Sequence, residues 1–165
     1  LQHQLAHEEA CSLAWPEVVG VAAVLPLAEP PDEALRDLRP DVAAAALAAA
    51  IAYEQAHGRQ VRDVSGEHTA HPYDLYSSGP GGPRCIEVKG ATAGRIFLSE
   101  NERRAAQRLR ESYYLYIVSD PLGQPQVTVV RDPHARLTPD VVLPAGVQYG
   151  YDAATWRAAA EERSL

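Results

Sequence analysis

Gly79-Pro80-Gly81-Gly82-Pro83-Arg84-Cys85-Ile86-Glu87-Val88-Lys89-Gly90 decides how this chain is read. The Gly/Pro string has turn chemistry, and the apolar, β-branched residues after it predict a strand over 84–88. The string lacks the Gly-Lys-Ser/Thr ending of a phosphate loop and joins two strands, so it is read as a hairpin turn. Side chains alternate along a strand, so Glu87 and Lys89 share one face and Val88 points to the other. Lys89 is the only lysine against fourteen arginines. An ammonium is compact, strongly hydrated and able to shift its pKa, which suits it to hold water or an oxyanion beside a metal.

Outward from this strand, residues 72–77 read as its antiparallel partner and carry Asp74, thirteen residues before Glu87. Residues 60–64 predict a further strand. Before them an Ala-rich segment, Asp41 to His57, predicts a helix with Asp41 as N-cap, Gly58 as C′ residue, and Glu54 near the core edge at its end. After the lysine come a short strand at 95–98, a capping box in Ser99-Glu100-Asn101-Glu102, and an Arg-rich helix. The aromatic and β-branched run Tyr113–Ser119 and residues 126–130 predict two more strands, and 152–162 a closing helix. The order from 41 to 119 is α-β-β-β-α-β, an α/β fold with a mixed central sheet flanked by helices.

Composition bounds the rest. At 165 residues with 46% hydrophobic content, the chain can bury one substantial core. Val18 to Ala28 is interrupted by Gly20 and Pro26, too short to span a membrane. Residues 1–40 read as a lead-in, or the tail of a preceding domain, and 41–165 as the main domain. Leu1 at the start and the lack of a signal peptide suggest a piece of a longer protein. Cys11 and Cys85 match no zinc or redox spacing, which fits a reduced, cytoplasmic protein with Cys85 buried.

The net charge of −7 argues against a nucleic-acid partner, but its distribution is uneven. Residues 1–41 hold eight acids against two bases, whereas 84–110 hold seven bases against three acids, a segment that could draw phosphate. Arg95, Asn101, Arg103, Arg104, Gln107 and Arg108 are the candidate nucleic-acid contacts. His57, His68 and His71 flank the motif without convincing ligand spacing, and His3 and His7 lack a third ligand. Trp15 and Trp156 are read as packing anchors.

Asp74 and Glu87 on neighbouring strands could hold a hard cation, Mg²⁺ or Mn²⁺, with the Val88 backbone carbonyl as a third oxygen and Glu54 completing the acidic cluster directly or through water. Lys89 would then act on a water or a phosphoryl oxygen. The element order with Asp74 and Glu87-Val88-Lys89 resembles the PD-(D/E)XK nuclease superfamily. Its proline before the first acid is here Tyr73, with Pro72 one position earlier. More narrowly, Tyr53-Glu54, Gly58-Arg59-x-Val61, Asp63-Val64-Ser65, Tyr73-Asp74-Leu75, Ile86-Glu87-Val88-Lys89-Gly90, Asn101-Glu102 and Tyr114-Leu115-Tyr116 resemble the NO VEIN C-terminal domain family. That family often ends helicases and other large ATPases, including phage-defence proteins.

The resemblance implies metal ligation by Asp74 and Glu87, catalysis by Lys89, and supporting roles for Glu54 and Asn101. The expected activity is Mg²⁺-dependent hydrolysis of DNA phosphodiesters beside an attached ATPase. The rival expectations are a module that binds nucleic acid without cutting it and a protein-interaction domain.

Overall fold

The structure is a computed structural model and describes residues 39–66, 71–92, 94–143 and 147–163. Most of the acidic lead-in, with His3, His7, Cys11 and Trp15, lies outside the described residues, as does His68.

Helix α1, Pro40–Ala56, buries Val42, Ala46, Ala50 and Glu54. Their four-residue spacing places them on one face. The expected N-cap at Asp41 is corrected: the N-cap is Arg39, which makes no side-chain cap bond, and Pro40 opens the helix. Proline suits that position because its missing N–H has no helical partner there and its φ is already fixed. Asp41 instead pairs with Arg39, Nε to Oδ1 at 3.1 Å, on the surface. Gly58 at φ +69° ends the helix, its N–H donating to the Gln55 carbonyl at 2.9 Å.

Among the described residues six strands form the large sheet: β1 (Gln60–Asp63), β2 (Leu75–Ser78), β3 (Arg84–Ala91), β5 (Tyr113–Ser119), β6 (Gln126–Arg131) and the two-residue β9 (Glu162–Arg163), in the spatial order β1-β2-β3-β5-β6-β9. β3 and β5 are parallel and every other pair is antiparallel, so the sheet is mixed as expected. Their connection runs through β4 (Ile96–Ser99) and helix α2 (Glu100–Leu109). β5 is buried from Tyr113 to Val118 because both faces of the sheet are covered. On one face α1 packs its alanines against Leu75, Ile86, Tyr116 and Val118. On the other, Leu115 and Ile117 meet Ile96, Leu98, Tyr151 and Trp156. Trp156 is thus a packing anchor, its indole N–H donating to the Gly94 carbonyl at 2.8 Å.

Three local expectations need correction. Residues 72–74 form a bend, so β2 begins at Leu75 and Asp74 stands just before it. The closing helix is shorter, α4 at Ala153–Ala158, because the Glu161 amide turns to the Val129 carbonyl at 2.8 Å and the chain joins β6 as β9. A second sheet, β4-β8-β7, uses the strands β7 (Val141–Leu143) and β8 (Gln148–Tyr151) after the one-turn helix α3 (Pro133–Arg136). β4 therefore belongs to this smaller sheet, and the order α-β-β-β-α-β describes only the large one. Among the described residues no helix is long and apolar enough to cross a membrane.

Candidate active site

The β2–β3 ladder has its last paired residues at Leu75 and Ile86. Beyond them the Asp74 amide still donates to the Ile86 carbonyl at 3.0 Å. The next amide of β3, Val88 N–H, donates to the Asp74 side chain, Oδ2 at 2.9 Å. A carboxylate thus takes the place of the partner strand, and the β2-side edge of β3 opens into a cleft of about 530 Å³. N–H and C=O of one strand residue point the same way, so the Val88 carbonyl also faces this edge. Tyr113, fully buried, donates from its hydroxyl to the Pro72 carbonyl at 3.3 Å and so anchors the bend that presents Asp74.

Asp74, Glu87 and Lys89 all line the cleft, with the expected strand parity: Lys89 Nζ lies 2.8 Å from Glu87 Oε1. The site includes a residue assigned only a capping role from sequence, Glu102. Its Oε2 accepts the Ser99 amide at 2.9 Å, completing the capping box, and also lies 3.0 Å from Lys89 Nζ. The lysine is therefore held between two carboxylates. The sequence signals for Glu102 are its place three residues after Ser99 and the Asn101-Glu102 pair in the family resemblance.

Electrostatics follow from three acids and one ammonium in a shielded place. Burial of Glu87, together with the charges of Glu102 and Asp74, outweighs Lys89 and pushes its pKa well above the ordinary carboxylate value. Burial alone would favour a neutral amine at Lys89, but Glu87 and Glu102 hold its pKa above the usual lysine value. Glu102 is desolvated too, yet Lys89 and the Ser99 amide keep its pKa low.

This donor set fits a hard divalent cation. It offers carboxylate oxygens and a carbonyl, and a cation there would offset the burial and the neighbouring acids that push the Glu87 pKa up. Among the described residues no group of three or more His, Cys, Asp or Glu side chains is placed to hold a metal ion. Mg²⁺ needs no such group, since it commonly takes one or two carboxylates and keeps several waters.

Glu54 is not brought into this cleft, which corrects its expected place in the acidic cluster. Its carboxylate is fully buried on the α1 face of the sheet, paired with Arg59 Nε at 2.7 Å and Arg84 Nη1 at 2.9 Å and accepting the Tyr116 hydroxyl. Arg84 and Glu87 are three apart on β3, so they point to opposite faces. Arg59 also donates to the carbonyls of Pro80 and Gly82 and so ties the Gly/Pro turn to α1.

The basic segment does not form one patch. Arg84 is in that buried network; Arg95 pairs with Asp140 at 2.8 Å; Arg103 donates to the Tyr151 hydroxyl at 2.8 Å and lies over the Tyr149 ring. Arg104 pairs with Glu100 at 2.7 Å. Asn101, Gln107 and Arg108 are exposed on α2. His57 caps α1 through the Tyr53 carbonyl, and the His71 ring lies beside Tyr73. Cys85 is half-buried, with burial raising its thiol pKa.

The sequence pattern of the family described as "Protein NO VEIN, C-terminal" matches residues 42–130, more than half of the chain. The chain belongs to this family. No curated protein and no solved structure matches it significantly. In this NO VEIN C-terminal domain the matched stretch holds α1, Asp74, β3, α2 and β5, and so the acidic floor of the cleft. β7, β8 and α4 lie beyond it, and Gln148, which also lines the cleft, comes from that later part.

Proposed function

We propose that this domain is a metal-dependent nuclease of the PD-(D/E)XK type that hydrolyses DNA phosphodiester bonds. It would serve as the C-terminal part of a larger helicase or ATPase, with phage defence as its setting. One observation carries the reading: Asp74, Glu87 and Lys89 line a single open cleft at the point where β2 leaves β3.

Asp74, Glu87 and the Val88 carbonyl would hold Mg²⁺ or Mn²⁺. When bound, such an ion supplies Lewis acidity, polarising a phosphoryl oxygen and making water more acidic. Lys89 has three donors, so it can keep Glu87 and Glu102 while offering an N–H to an oxygen of the phosphate as negative charge builds there. Glu102 stops the long side chain from swinging away, and the α2 cap fixes Glu102 in turn.

The test is cleavage of single- and double-stranded DNA by purified protein with Mg²⁺ or Mn²⁺. Cutting should vanish in Lys89→Ala while far-UV circular dichroism stays unchanged. Equal cutting by both proteins removes the assignment. One observation favours a second reading, a nuclease-fold module that binds nucleic acid for an attached ATPase without cutting: Lys89 is already satisfied by two carboxylates. Mn²⁺ titration separates them, since only the nuclease requires binding that Asp74→Asn abolishes.

A further inference from the structure

The cleft has an apolar side that hydrolysis alone does not use. β4 alternates Ile96 and Leu98, both buried, with the less buried Phe97 and Ser99; Ile96, Phe97 and Ser99 line the cleft. Phe97 is the only phenylalanine of the chain and is part-exposed. Opposite Ser99 on β8 stands Gln148, and opposite Phe97 stands Gly150, both facing the same way by strand register. A Cβ at residue 150 would stand 3.0 Å from ring carbon Cε1 of Phe97, so the glycine leaves room for the ring. Ala43, Ala44 and Leu47 of α1 supply the other wall.

We propose that Phe97 is a base-stacking platform and that the cleft takes one unpaired nucleotide, its base against the Phe97 ring with Gln148 at the base edge, and its phosphate toward Lys89. The inference rests on the nuclease reading and adds the substrate class: a single strand, a flap or a frayed end. Three arguments carry it. The cleft has the volume of a small-ligand pocket. Bases inside a duplex are stacked on both sides and offer no free face, whereas an unpaired base can be splayed onto an aromatic ring. Finally, the cleft's own side chains set three carboxyls against one lysine, with the arginines dispersed, and so attract phosphate poorly; stacking adds affinity that those charges do not.

Fluorescence anisotropy with a labelled oligothymidylate and a duplex of equal length tests this, at low salt with Ca²⁺ replacing Mg²⁺. Wild type should prefer the single strand. Phe97→Leu, which keeps apolar bulk without a π face, should weaken that binding about tenfold, and Phe97→Tyr should restore it. Unchanged single-strand affinity in Phe97→Leu, or equal loss in Phe97→Tyr, overturns the stacking role. Duplex cutting that requires Lys89 but ignores Phe97 leaves the nuclease reading standing and removes only this one. Absence of both DNA binding and cutting by wild type removes the two together.

Discussion

Glu54→Gln separates a structural acid from a catalytic one. The carboxylate is fully buried and meets two guanidinium groups and a tyrosine hydroxyl. Breaking a buried pair by changing one partner costs about 3–5 kcal/mol, because the remaining charges lose their compensation. Glutamine keeps the shape and one acceptor, so a loss of about 3 kcal/mol is expected. For a domain of this size that lowers Tm by about 6–12 °C. The pH dependence gives a second signature. Burial opposes ionisation of Glu54, but Ser77, Tyr116, Arg84 and Arg59 together hold its folded-state pKa below the ordinary 4.5. A depressed pKa stabilises the fold above the unfolded value, and that stability is lost as pH falls through the folded one. The gap between wild type and Glu54→Gln should therefore be full at neutral pH and narrow below about 4.5. Urea unfolding across pH measures it, with DNA cleavage per folded molecule alongside. A variant as stable as wild type at pH 7, or one that stays folded but loses cleavage, would refute the structural assignment.

Gly90→Ala should cost about 1–3 kcal/mol, since its Cβ would stand 2.7 Å from Val42 Cγ1; Val42→Ala in the same chain should recover part of the loss in a melting curve. Glu102→Ala should destabilise α2 by about 0.5–2 kcal/mol through the broken cap. Glu102→Gln keeps an acceptor for the Ser99 amide, so the cap should hold while cleavage falls with the loss of the negative charge beside Lys89. Because Lys89 is the only lysine, its single side-chain NMR resonance shows whether the ammonium has come loose.

What the sequence could show divides along a physical line. Features set within a few residues were legible: the Gly58 helix stop, the Ser99 capping box, the Gly/Pro hairpin, the β5 run, and the shared face of Glu87 and Lys89. Features set by how distant elements register were not. Nothing local to Tyr53-Glu54 says which face of the sheet the end of α1 covers, and that choice sends Glu54 to Arg84 rather than to Glu87. The basic segment looked like a patch because charge was counted along the chain, whereas β3, β4 and α2 turn its members in different directions. β8 pairs with β4 across a long stretch of chain, and the short β7 joins that sheet only through β8.

Glu102 joins the two cases. Its cap is a three-residue relation and legible, but its pairing with Lys89 depends on β4 leading α2 back beside β3. The same oxygen that closes the cap reaches the lysine, so one atom links the start of α2 to the position of the ammonium. A change that frays the first turn of α2 should thus disturb Lys89 even where no residue of the cleft has been replaced.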